Sequence, residues 1–69
     1  MEAEVMRIAA TLASGGIRMD VLQPNSHTEV FVAELPNKKQ YLFTRAGLLK
    51  LRYDGKLDMA GIEEFGVTR

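Results

Sequence analysis

Reactive side chains are scarce in this chain, so the few that exist define what chemistry is open to it. His27 is the single histidine and stands between Ser26 and Thr28. A Ser–His pair can activate a hydroxyl when the two side chains meet and a third group orients the imidazole. Adjacent residues at the start of a strand point apart, so this run reads as a polar turn. With one histidine and no cysteine, multi-histidine and thiolate metal sites are excluded. Glu63 and Glu64 are sequential and diverge by about 100° on a helix, which does not suit them to sharing a proton or a metal. Gly15-Gly16 lacks the surroundings of a phosphate loop and closes a helix instead of opening one. These residues argue for a protein that is not an enzyme, with no catalytic residue, no metal site and no cofactor.

Binding chemistry is better represented. Lys38, Lys39, Arg45, Lys50, Arg52 and Lys56 fall in one stretch that holds only Asp54 against them, a local charge of +5. The rest of the chain carries Arg7, Arg18 and Arg69 against eight acids, a charge of −5, so the total is zero. A chain divided in this way can self-associate head to tail or meet an anionic partner with one end. The basic stretch 38–56 also contains Tyr41, Phe43 and Tyr53, and aromatics among cations can bind single-stranded nucleic acid by stacking and phosphate contact. Two considerations favour a protein partner. With five aromatics and no tryptophan, the core needs its rings. Nucleic-acid-binding domains also commonly carry net positive charge, and this chain has none.

The elements that must position these residues are legible in large part. Val5, Ile8, Ala9 and Leu12 recur at helical spacing and predict a helix over 3–14, with Glu2 and Glu4 at its positive end and Gly15-Gly16 as its stop. Ile17–Leu22 alternates as a half-buried strand, and Gln23-Pro24-Asn25-Ser26 is turn chemistry. Glu29–Thr44 holds two β-rich runs around Pro36-Asn37-Lys38-Lys39, a hairpin signal. A three-residue loop pairs Phe31 with Phe43 and Glu29 with Arg45. It places Phe31, Leu35, Tyr41 and Phe43 on one face and Val30, Val32 and Leu42 on the other. Both faces are apolar, so both need cover.

Residues 44–59 admit two readings. As a helix, Thr44 is the N-cap, Gly55 follows the end, and Leu49 and Tyr53 stack while Leu48 and Leu51 point elsewhere. As a second hairpin around Tyr53-Asp54-Gly55, the pairing would oppose Arg52 and Lys56. The helix formers Leu48–Arg52 favour the first. Asp58 caps a short helix over Met59–Phe65 that Gly66 ends, and Val67–Arg69 is a loose tail.

The expectation is a single α+β domain over residues 1–69. It has an N-terminal helix, a three-stranded antiparallel β-meander and one or two short C-terminal helices. The N-terminal helix covers one sheet face; the C-terminal segment or a second copy covers the other. A chain of this size buries only about 60% of its unfolded surface, which favours a homodimer. No apolar run reaches the roughly 20 residues of a membrane span, and acidic residues precede the first apolar ones, so the chain reads as cytoplasmic and not membrane-bound. The expected function is a binding or regulatory module working through protein contacts at Lys38, Lys39, Arg45, Lys50, Arg52 and Lys56. Inhibitors and adaptors of bacteria and phages have this size. Nucleic-acid binding through 38–56 is the alternative.

Overall fold

The computed structural model describes residues 3–22 and 29–69. Helix α1 (Ala3–Ser14) leads to strand β1 (Arg18–Val21), then β2 (Phe31–Glu34), β3 (Gln40–Phe43), helix α2 (Arg45–Tyr53), helix α3 (Met59–Phe65) and strand β4 (Val67–Thr68). The strands form one antiparallel sheet in the order β1-β2-β3-β4. This is the α+β arrangement read from the sequence, with one strand added. The expected turn Gln23-Pro24-Asn25-Ser26 and the Ser26-His27-Thr28 run lie outside the described residues, as does Glu2.

Each helix forms where its ends are satisfied. α1 buries Val5, Ile8 and Leu12 along one stripe, and beyond its end Gly16 takes φ +80°, a left-handed conformation that glycine adopts without steric cost. At α2 the Thr44 side chain accepts the Gly47 N–H at 3.1 Å, and at α3 Asp58 accepts the Gly61 N–H at 2.8 Å. Each cap satisfies one of the backbone donors a helix start leaves unpaired. The helix reading of 44–59 therefore holds. α2 turns differently from the expected stack, however: Leu48 and Leu51, three apart, are buried, while Tyr53 stands 91% exposed.

The hairpin takes the expected register, with Phe31 opposite Phe43 and Ala33 opposite Tyr41. Its three-residue loop Pro36-Asn37-Lys38 closes by the Lys38 N–H donating to the Leu35 carbonyl at 2.9 Å, and the Leu35 N–H to that of Lys39 at 2.9 Å. Lys38 sits at φ +76°, the position glycine favours in such loops.

The inner sheet face, with Phe31, Ala33, Leu35, Tyr41 and Phe43, joins Val5, Ile8, Leu12, Ile17, Leu48, Leu51 and Ile62 in one buried cluster. All three helices thus send their buried large side chains to the same face. Of the two covers expected for the outer face, the C-terminal segment or a second copy, this corrects the first: α2 and α3 join α1 on the inner face. The outer face has no helix laid over it among the described residues.

The other correction concerns Val67-Thr68-Arg69. It is not a loose tail: Thr68 pairs with Tyr41 and Val67 with Leu42, and the Arg69 N–H donates to the Gln40 carbonyl at 3.1 Å. Gly66 makes this possible. A Cβ there would lie 2.6 Å from the Ile62 carbonyl oxygen, 2.7 Å from Tyr41 Cβ and 2.8 Å from Phe43 Cζ. Only a residue without a side chain lets β4 drop against β3.

Candidate functional site

The outer sheet face divides into an apolar part and a polar end. Side chains alternate along each strand, so register places Asp20, Val32, Leu42 and Val67 in one row across all four strands. Beyond that row, towards α2, lie Leu22, whose N–H donates to the Val30 carbonyl at 2.8 Å, and Val30 itself. At the α2 end of the sheet, Val30, Leu42, Thr44 and Val67 meet the edge of inner-face Phe43, Gly47 of α2 and Phe65 of α3, and together they line an open groove of about 380 Å³. Val67 is 65% exposed and Phe65 47% exposed. Its walls are almost wholly hydrocarbon, the composition of a surface that excludes water when covered.

Towards the hairpin tip the next row is polar. Gln40 Nε2 donates to Glu34 Oε1 at 2.8 Å, and Arg69 Nη1 donates to Gln40 Oε1 at 3.3 Å. Arg18 stands opposite Glu34 on β1. The hydrogen bond from Gln40 holds the Glu34 carboxyl below its ordinary range, partial burial works against this, and the charges of Lys38 and Arg18 add to the lowering.

The six cations of the basic stretch do not form one surface. Lys38 and Lys39 are at the hairpin tip, where with Gln40, Tyr41, Thr68 and Arg69 they line a second shallow groove of about 370 Å³. Lys38 Nζ is 3.9 Å from Glu34 Oε2, and among the described residues the Lys39 side chain has no ion pair. Arg45 lies at the opposite end of β3, where its Nε and Nη2 both donate to Glu29 Oε1 at 3.0 and 2.7 Å. Lys50 pairs with Asp54 one turn along α2 at 3.1 Å, and Arg52 reaches Glu4 of α1 at 2.9 Å. Lys56 Nζ rests 5.0 Å above the centre of the Phe65 ring. Four of the six thus have close partners, and those of Arg45, Arg52 and Lys56 tie different parts of the fold together.

The pairing of β3 with β4 brings Arg69, 30 residues away in sequence, beside Lys39. Sequence reasoning set Arg69 apart in a tail and missed this neighbour, as it missed Phe65 and Val67 in the apolar groove. The exposed residues on α3 include Glu63 and Glu64. Neither has an ion pair among the described residues. Among the described residues, no group of three or more His, Cys, Asp or Glu side chains is placed to hold a metal ion and no helix is long and apolar enough to cross a membrane.

No protein-family model matches the chain, and no curated protein or solved structure is similar to it at a significant level.

Proposed function

We propose that this protein is a non-enzymatic binding module, a small cytoplasmic regulator of the inhibitor or adaptor kind, that engages a protein partner with the outer face of its sheet. The observation that carries this reading is the open apolar groove in which Val30, Leu42 and Val67 of the outer face meet Phe65 of α3 at the α2 end of the sheet. Burying such a groove stabilises a complex by roughly 25 cal/mol per Å² of apolar surface removed from water, before the cost of association. The cations set approach and orientation while the groove carries affinity.

The internal pairing of Arg45, Lys50 and Arg52 favours this reading over nucleic-acid binding, because a cation already held by a carboxylate releases less counterion from a phosphate backbone. The test compares the wild type with Leu42→Asp, checked for folding by circular dichroism, as bait in the native host's extract. The partner retained by the wild type should be lost by Leu42→Asp and kept by Lys50→Glu. Equal retention by Leu42→Asp refutes the groove. Submicromolar binding of a fluorescent oligonucleotide at physiological salt, lost in Lys38→Glu/Lys39→Glu, overturns the choice in favour of nucleic acid.

A further inference from the structure

β4 is a sheet edge with unused hydrogen-bonding capacity. In an antiparallel ladder the residues alternate between those that bond inward and those whose backbone groups point away. Arg69 bonds inward to Gln40, and Val67, two residues earlier, shares its orientation opposite Leu42. The N–H and C=O of Thr68 therefore point away from β3, to the open edge. Unpaired edge groups are a template for another strand.

The charges along this edge are arranged by end. The segment that leads into β4 carries Glu63 and Glu64 on the last turn of α3, both exposed and without an ion pair among the described residues. The segment that leaves it carries Arg69, flanked by Lys38 and Lys39 at the hairpin tip. One end is acidic and the other basic, with the exposed Val67 between them.

We infer that two copies of this chain pair antiparallel through their β4 edges, about a two-fold axis at Thr68 that sets the acidic end of each protomer against the basic end of the other. Each Thr68 N–H then donates to the Thr68 carbonyl of its partner. A two-fold contact uses the same patch twice, so both charged ends are matched at once. A parallel pairing would instead set acid against acid and base against base. The axis runs through the sheet, so the two four-stranded sheets continue into one of eight strands. All six helices lie on one side of it, and each apolar groove stays open at the α2 end of its own half. The inference stands on the edge alone; joined to the docking reading above, it makes the module bivalent.

Light scattering at micromolar concentration should give about twice the 7.7 kDa chain mass. Lys38→Glu/Lys39→Glu/Arg69→Glu makes both ends acidic and should be monomeric. Glu63→Lys/Glu64→Lys makes both ends basic and should also be monomeric. Mixed in equal amounts, the two variants should recover the dimer mass, because each now complements the other at both ends. Thr68→Pro should be a folded monomer, since it removes a donor that β3 does not use. A monomeric wild type, reversed variants that remain dimeric, or a mixture that stays monomeric would each overturn the pairing. These masses are read without any partner, so they fail or succeed independently of the Leu42→Asp experiment.

Discussion

Gly66→Ala tests whether β4 is built into the fold. The backbone at Gly66 is extended, φ −79° and ψ 154°, so alanine meets no backbone penalty there. The obstacle is space. The new methyl would lie at 2.6–2.8 Å from three atoms, one a backbone oxygen and one the Cβ of Tyr41, neither of which can swing aside alone. If β4 stays, the core must shift, at a typical overpacking cost of about 1–3 kcal/mol. If β4 leaves, the Arg69–Gln40 hydrogen bond and its companions in the ladder go, at about 0.5–1.5 kcal/mol each. Both routes give a loss of roughly 2 kcal/mol, a large share of the roughly 3–10 kcal/mol expected of a domain this size. With a urea slope near 1 kcal/mol/M, the unfolding midpoint should fall by about 2 M. Amide exchange separates the routes, because the Leu42 N–H faces β4 and loses protection only if the strand leaves. Gly15→Ala is the matched control: its Cβ would have 3.5 Å of clearance, so the variant should unfold with the parent. A Gly66→Ala protein that matches the parent in midpoint and in Leu42 protection would refute the close-packed joint.

Two further expectations concern the hairpin tip and the polar row. Lys38→Gly should raise stability by about 0.5–1 kcal/mol, as relief of the left-handed backbone exceeds the added freedom of the unfolded chain, and thermal melting should show a higher Tm. The loose Lys38–Glu34 contact, with the lysine side chain 85% exposed, offsets little of that gain; an unchanged or lower Tm would refute it. The hydrogen bond from Gln40 holds the Glu34 carboxyl below the ordinary carboxylate range in the folded protein, so its contribution to stability is present above that range and is lost as pH falls through the lowered folded value. Glu34→Gln should therefore flatten the acid limb of the stability profile and leave its slope near neutrality unchanged. An acid limb identical to the parent's would show that Gln40, Lys38 and Arg18 do not hold the carboxylate.

The parts of the fold legible in the sequence were those specified by several local signals at once. Helix α1 had both its apolar spacing and its glycine stop. The β2–β3 register had an aromatic pair and a charge pair that agreed, Phe31 with Phe43 and Glu29 with Arg45. For α2, the helix formers Leu48–Arg52 favoured the helix over the hairpin, and the structure adds the Thr44 cap on the Gly47 N–H. β4 could not be read in this way. Two residues carry no periodicity, and what fixes them is the absence of a side chain at Gly66 against Tyr41 and Phe43, a contact between segments about 25 residues apart. The same limit applied to the site. The run of cations was visible, but Arg45 and Arg52 are paired across elements to Glu29 and Glu4, and Arg69 joins Lys38 and Lys39 only through the sheet. Which face the helices share was also a tertiary matter. α2 turns Leu48 and Leu51 inward to meet the core that α1 already covers.

The strand order β1-β2-β3-β4 follows the order of the chain, and that bears on how the molecule assembles and opens. β2 and β3 each pair with the strand before them with no helix in between, so these two ladders close over shorter connections at less entropic cost. β4 must wait until two helices have been laid down between it and β3, and it repays that longer closure with only two residue pairs. It is therefore expected to dock last and to detach first, by a local opening that leaves the rest of the core intact. The edge strand is thus the least tightly held part of the sheet, and any partner that pairs with it draws its binding energy against that opening.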